Sequence, residues 1–150
     1  MADSRAIGIF DSGLGGLTVA REVISRLPNE DVVYFGDTGR VPYGSRSRET
    51  IKKYASQDER FLLKHNVKLI IAACGTVSSV AADAAKDLPV PYFEMVTHAA
   101  KAAVSATKSG KIGVIGTAAT VGSGSHKREI LKLLPDAEVT ACSCSLLFRS

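Results

Sequence analysis

The sequence predicts a doubly wound α/β domain whose mainly parallel sheet has five or six strands, with helices on both faces. Short apolar runs alternate with segments whose apolar residues recur at helical spacing, which is the pattern of repeated βαβ units. The clearest run is 69–73, because a continuous apolar stretch without polar alternation is typical of a strand buried on both faces of a parallel sheet. A chain of 150 residues with 45% hydrophobic content is long enough for one domain with a substantial core.

The individual elements follow the same alternation along the chain. After each of the first five strands we expect a helix, of which the third extends to Leu88 and the fifth ends near Leu134. The strands are expected at 6–10, 31–35, 69–73, 91–96, 111–115 and 138–142.

Composition and charge restrict the class of ligand. The net charge of +4 is modest, and no basic run concentrates it. It fits an anionic small molecule better than nucleic acid, because the sequence has no basic surface pattern interleaved with aromatic residues. The first residues lack an apolar signal core and no apolar segment is long enough to span a membrane. With three cysteines, these features predict reduced thiols in the cytoplasm.

Cys74, Gly75 and Thr76 lie between the third predicted strand and the helix that follows it. Open α/β sheets bind their ligands at such junctions, where the free N–H groups of the helix favour anions and lower the pKa of a thiol. A thiolate should therefore form most easily at Cys74, which becomes a candidate catalytic residue. The alternative is that Cys74 is a small buried apolar residue, since free cysteine is often buried.

Asp11 and Ser12 follow the first strand, at the corresponding place in the sheet. The glycines after them do not form a dinucleotide-binding motif, because Thr18 occupies the position of its third glycine. A Walker loop is absent as well, since Ile112 follows Gly110-Lys111. Asp11 and Ser12 are therefore expected either to contact a ligand or to cap the next helix.

Two further junctions carry polar or rigid residues. The loop at 36–44 is stiffened by Pro42 and Tyr43, and a loop of that kind is often functional. Hydroxyl groups at 117–120 follow the fifth strand and can hold a carboxylate or cap a helix. His98 near the same edge is expected to be a structural or solvent-facing residue. The right-handed crossover rule places all these junctions on one edge of the sheet.

No metal site is expected. Cys142 and Cys144 form a C-x-C pair without further ligands at zinc spacing.

Four motifs together resemble glutamate racemases of the aspartate/glutamate racemase superfamily. In chain order they are Phe-Asp-Ser-Gly-Leu-Gly-Gly, Gly-Asp-Thr-Gly-Arg-Val-Pro-Tyr-Gly, Ala-Ala-Cys-Gly-Thr and Ile-Gly-Thr-x-x-Thr-Val. They occur in the family's order and spacing over essentially the whole chain. The resemblance implies a cofactor-independent enzyme of two similar α/β domains, of which residues 1–150 are the first.

The implied reaction interconverts L- and D-glutamate, which supplies D-glutamate for peptidoglycan. One cysteine from each domain faces the α-carbon; a thiolate removes the α-proton, and a thiol returns a proton to the opposite face. Cys74 matches the cysteine of the first domain. The resemblance implies no nucleic-acid or membrane partner, and a homodimer is compatible with it. Positions matching the family's substrate contacts are Asp11, Ser12, Pro42, Tyr43, Gly44, Gly75, Thr76, Thr117 and Thr120.

The sequence also departs from the family. Gly75 replaces an asparagine whose amide helps to bind the substrate carboxylate, Thr97-His98 replaces Glu-Pro, and His126 replaces a tyrosine. The residues at 143–150 differ from the family's continuation, so the second catalytic cysteine is not among residues 1–150. The isolated chain is therefore expected to lack racemase activity.

Other functions remain open on the sequence alone. One is a catalytically silent, truncated domain that binds a small acid or a partner, and another is a related racemase acting on aspartate or a similar acid. A receiver domain is rejected, because phosphorylation would need an aspartate at Cys74.

Overall fold

The computed structural model describes residues 3–144. Strands in this part are β1 (Ile7–Asp11), β2 (Val32–Gly36), β3 (Leu69–Ala72), β4 (Tyr92–Glu94), β5 (Lys111–Gly116) and β6 (Glu138–Ser143). Helices are α1 (Leu17–Arg26), α2 (Arg48–Lys64), α3 (Gly75–Val80), α4 (Met95–Ala106), α5 (Ala118–Ser123) and α6 (Ser125–Leu133), with a 3-10 turn at Ala82–Ala85. Most of the segment 143–150 that departs from the family lies outside the described residues.

All the described strand pairs are parallel, which confirms the predicted α/β class. The prediction of one sheet is wrong, because the strands divide into a four-stranded sheet, in the order β2-β1-β3-β4, and a separate pair, β5-β6. The three residues of β4 pair with β3, and the carboxylate of Glu94 then accepts the N–H groups of Val96 and Thr97. This cap starts α4 two residues earlier than predicted. The chain then continues into α4, which packs mainly against α6 beside the second sheet.

Side chains of the central strand β1 alternate between two apolar layers. Ile7 and Ile9 pack with Ala20 of α1 on one face of the four-stranded sheet. Phe10 points to the other face, where it joins the larger core formed with α2 and α3. Helices therefore lie on both faces of the four-stranded sheet, as predicted. No helix in residues 3–144 combines the length and apolar character needed to cross a bilayer.

Two predicted helices are shorter than their apolar spacing indicated. The helix after Cys74 ends at Val80 rather than Leu88, because Ala81 has a non-helical backbone and a 3-10 turn follows. The predicted helix ending near Leu134 is divided into α5 and α6 by Gly124, whose φ of +63° lies in the left-handed region. Glycine adopts this conformation without steric cost, which explains the break at this position.

Two acidic side chains of α2 are buried in the core. Asp58 is 1% exposed and Glu59 is 2% exposed. Burial is the main cause that raises the pKa of Glu59 to about 7. One of its carboxyl oxygens, Oε1, has no hydrogen-bond partner among the described residues. The folded protein therefore favours the protonated form of Glu59.

Replacing Glu59 by Gln should reduce the pH dependence of stability. With a folded pKa of about 7, against an ordinary value near 4.5, the neutral carboxyl contributes stability that is complete below pH 4.5. That contribution is lost as the pH rises through 7, because ionisation is unfavourable in the core. Urea unfolding at pH 5 and pH 8 should show wild type losing about 1–3 kcal/mol more than the variant. The matched control, Glu49→Gln at the exposed start of α2, should follow wild type; equal losses in E59Q and wild type would contradict this assignment.

Candidate active site at the carboxyl ends of the strands

The structure brings the junctions after β1 and β3 together. Because these two strands are adjacent and parallel, their carboxyl ends lie at the same edge of the sheet. Ser12 follows β1 and Cys74 precedes α3, and their Oγ and Sγ atoms are 3.1 Å apart. The predicted meeting of these two junctions is confirmed.

Cys74 is the N-cap of α3 and lies at the strand-to-helix junction that the sequence predicted. Its sulfur accepts the backbone N–H of Val77 at 3.5 Å, and its side chain is 3% exposed. The expectation that its thiolate forms easily is wrong for the chain by itself. Burial raises the pKa of the Cys74 thiol and the Asp11 carboxylate adds to the increase, while the bonds from Ser12 and Val77 oppose it. The loss of hydration therefore outweighs the hydrogen bonds from Ser12 and Val77.

Asp11 is buried at the end of β1 and also fixes the start of α1. Its Oδ2 accepts the backbone N–H of Gly16 at 2.9 Å. A Cβ at Gly16 would lie 2.6 Å from that of Asp11 and 2.9 Å from that of Ala73. Gly16 is therefore needed for this close approach, and the capping role expected for Asp11 is present alongside its position beside Cys74.

Three threonine hydroxyl groups form a row next to Cys74. Thr76 Oγ1 is 3.1 Å from Thr117 Oγ1, which is 2.9 Å from Thr120 Oγ1. Thr76 belongs to α3, whereas Thr117 caps α5 by accepting the N–H of Thr120. The row therefore joins the four-stranded sheet to the β5-β6 unit, and it confirms that the third and fifth junctions meet.

The loop at 36–44 contacts the start of α5 through its main chain. The carbonyl of Gly44 accepts the N–H of Ala119 at 3.2 Å, and a Cβ on Gly44 would lie 2.6 Å from Thr117. Pro42 is exposed, whereas the Tyr43 side chain is 1% exposed and points into the core. Tyr43 therefore offers a ligand its backbone rather than its ring.

A buried polar network beneath this loop was missed from the sequence. Arg40 binds Asp37 at 2.5 Å and Asp58 at 2.7 Å, and the Tyr43 hydroxyl contacts both carboxyl groups. Burial raises the pKa of Asp58 to about 7, although Tyr43 and Arg40 act to lower it. The sequence did contain one signal for this network. The spacing between Ile51 and Asp58 puts Asp58 on the apolar face of α2, where a carboxyl group needs polar partners.

The remaining predicted residues differ in how close they lie to this cluster. Gly75 is the first residue of α3, and a Cβ built on it meets no atom within 4 Å, so a side chain can be accommodated there. His98 is exposed beside Phe93. His126 is half-buried, which lowers its pKa. In residues 3–144 no group of three or more His, Cys, Asp or Glu side chains is arranged to hold a metal ion.

Comparison with known proteins identifies relatives of the chain. It is 47% identical over 142 residues to the glutamate racemase of Syntrophus aciditrophicus, covering 94% of this chain and 53% of the relative. The glutamate racemase of Chlorobaculum tepidum is 50% identical over 139 residues, which is 87% of this chain and 51% of the relative. The chain is homologous to glutamate racemases over about half of their length. No family model matches the chain.

Solved structures of glutamate racemases have the same fold. An isoform from Bacillus anthracis superimposes with a TM-score of 0.91 at 37% identity, over 95% of this chain and 54% of that one. The enzyme from Francisella tularensis, solved in complex with D-glutamate, gives a TM-score of 0.86 at 42% identity, with coverage of 95% and 54%. The arrangement of both sheets is therefore that of the matching half of a glutamate racemase.

Alkylation with iodoacetamide should distinguish the cysteines by their burial. We expect exposed Cys142 to react about tenfold faster or more than Cys74 at pH 7, because Cys74 is buried and its pKa is raised. Mass-spectrometric mapping measures each rate, and labelling in urea provides the control, in which the difference should disappear. Faster labelling of Cys74 than of Cys142 in the folded chain would refute this assignment.

Proposed function

We propose that residues 1–150 act as the first α/β domain of a glutamate racemase-like enzyme and bind glutamate at the Cys74 junction. The observation that carries this proposal is the thiol of Cys74 lying 3.1 Å from Ser12, beside a buried carboxylate and a row of hydroxyl groups. The homologous racemases add independent support, since one is solved with D-glutamate. On this proposal residues 1–150 contribute one face of the site of an enzyme that works in the cytoplasm, without a cofactor, and supplies D-glutamate for peptidoglycan.

The polar groups divide between the two charged ends of the amino acid. Asp11 offers a carboxylate for the substrate ammonium. The hydroxyls of Thr76, Thr117 and Thr120 can donate to the α-carboxylate, with the Gly44 backbone beside them. An amino acid held in this way presents its α-carbon to Cys74. The α-proton is very weakly acidic, so the carbanion that develops when it is removed needs stabilisation. Polar groups already in place at the ammonium and carboxylate ends of the substrate can provide it.

Cys74 acts as the base in its thiolate form. The thiolate takes the α-proton, the electron pair of the C–H bond remains on the α-carbon, and the resulting thiol can return a proton to the same face. Ser12 and the Val77 N–H stabilise the thiolate through hydrogen bonds. Binding of the substrate ammonium beside Asp11 would reduce the repulsion that this carboxylate exerts on the thiolate.

Inversion of configuration needs a second group on the opposite face of the α-carbon. Among the described residues the other thiols are Cys142 in β6 and Cys144, whose N–H donates to the carbonyl of Gly116. That bond places the backbone of Cys144 next to Thr117, but the Cys144 thiol makes no hydrogen bond to the site among the described residues. We infer that Cys74 works alone in the isolated chain.

Incubation of L-glutamate with the chain in heavy water tests the assignment of Cys74. We expect deuterium to enter at the α-carbon with retained configuration, because one thiol removes and returns the proton on one face. The Cys74→Ala variant should lose this exchange, whereas the matched control Cys142→Ala should retain it. Mass spectrometry measures deuterium, and chiral chromatography measures D-glutamate.

Two outcomes would contradict this mechanism. Exchange that persists in Cys74→Ala would remove Cys74 from its role as the base. Accumulation of D-glutamate would show that a second base exists, and loss of that product in Cys144→Ala would identify it.

Gly75 provides a separate test of the carboxylate subsite. An asparagine amide at this position would add a hydrogen bond to the substrate carboxylate, and its Cβ would have open space. A charge-assisted bond of this kind contributes roughly 1.5–3 kcal/mol, so Gly75→Asn should strengthen glutamate binding by about tenfold or more. Calorimetry on both forms measures the affinity, with Gly75→Ala as the control for the added Cβ. Unchanged affinity in Gly75→Asn would place the carboxylate elsewhere.

A further inference from the structure

A second cavity lies behind the row of threonines, between the start of α2, the end of α3, and helices α5 and α6. Its volume is about 340 Å³. Small-molecule sites begin at about this size. It shares no residue with the candidate active site, although Ala119 in its wall is bonded to Gly44.

Three arginine side chains from different parts of the chain line this cavity. They are Arg46 before α2, Arg48 at its first residue, and Arg128 in α6. No carboxylate lines the same cavity among the described residues. The Arg46 side chain makes no hydrogen bond or ion pair within the described part of the chain, and Arg128 donates to the carbonyl of Ser123.

The positive charge of Arg48 is only weakly compensated by a carboxylate. Arg48 is 3.8 Å from Asp83, which already binds Lys52 at 2.6 Å. Two positive side chains therefore share one carboxylate. Guanidinium groups bind phosphate and carboxylate oxygens through paired hydrogen bonds, so the three together favour a ligand with several negative oxygens.

One part of the cavity wall is apolar. Val80 is 8% exposed and Ala119 is half-buried, whereas Ile51 is fully buried and offers a ligand no surface. A simple inorganic anion would leave this wall without a partner. An organic anion can place its apolar part against Val80 and Ala119 while its charged end contacts the arginines.

We propose that this cavity binds a small organic phosphate, with the phosphate held by Arg46, Arg48 and Arg128 and the apolar part lying on Val80 and Ala119. A phosphate monoester suits the site better than a carboxylate, because it carries a charge near −2 and three acceptor oxygens. This site is separate from the glutamate site, and its occupation does not depend on the chemistry at Cys74.

Calorimetric titration of the full chain with phenyl phosphate tests the proposal. We expect saturable binding that is tighter than that of inorganic phosphate or benzoate. Inorganic phosphate has no apolar part, and the carboxylate of benzoate carries less charge than a phosphate monoester. Arg46→Gln should weaken it by about tenfold or more, since a charge-assisted contact is lost. Arg46→Lys should recover part of the loss. The matched control is Arg21→Gln on α1, which changes the net charge equally and whose side chain is 78% exposed.

Three results would overturn the proposal. One is the absence of saturable binding by phenyl phosphate. Another is equal weakening in Arg21→Gln and Arg46→Gln, which would indicate a general effect of net charge. The last is competitive displacement of phenyl phosphate by D-glutamate, which would place the anion at the Cys74 site. Circular dichroism should show the same helix content in Arg46→Gln as in wild type, because the Arg46 side chain forms no described contact within the fold.

Discussion

The arrangement of the candidate site depends on contacts between two sheets that share no strand pairing. Cys74 belongs to the four-stranded sheet, whereas Thr117 belongs to the β5-β6 unit. Their relative position is maintained by the bond between the Gly44 carbonyl and Ala119, and by the hydroxyl pair of Thr76 and Thr117. A side chain at Gly44 would collide with Thr117, so the absence of a Cβ allows the two units to approach.

The loop at 36–44 can serve as this connection because a buried network fixes it to α2. A phenol has one hydrogen, so Tyr43 can donate to Asp37 or Asp58 but not to both. The other carboxyl group must donate a proton to Tyr43, and a protonated Asp58 fits, since burial raises its pKa to about 7. Arg40 compensates the remaining negative charge. Buried networks of this kind contribute to one unique arrangement only when every member is satisfied, which is achieved here when Asp58 donates its proton to Tyr43 and Tyr43 donates its own to Asp37.

The sequence was sufficient to predict the alternation of strands and helices and the meeting of their ends, but not where the helices after Cys74 and Thr117 end. Strand and helix types follow from local apolar spacing, and the crossover rule brought Ser12, Cys74 and Thr117 to one place. The division into two sheets was not predictable in the same way, because local apolar spacing does not determine which strands pair. Similarly, the pKa of Cys74 depends on how completely the fold excludes water, which local sequence does not encode.

The raised pKa of Cys74 is compatible with the proposed chemistry. A thiolate with a higher pKa is a stronger base, which favours removal of a weakly acidic α-proton, but less of it is present at neutral pH. Burial and Asp11 raise the pKa of Cys74, whereas Ser12 and the Val77 N–H lower it. A bound ammonium group beside Asp11 would offset the repulsion from that carboxylate and leave the hydrogen bonds unchanged. The thiolate would then become more populated only when substrate is present, which limits the reaction of Cys74 with electrophiles when the site is empty.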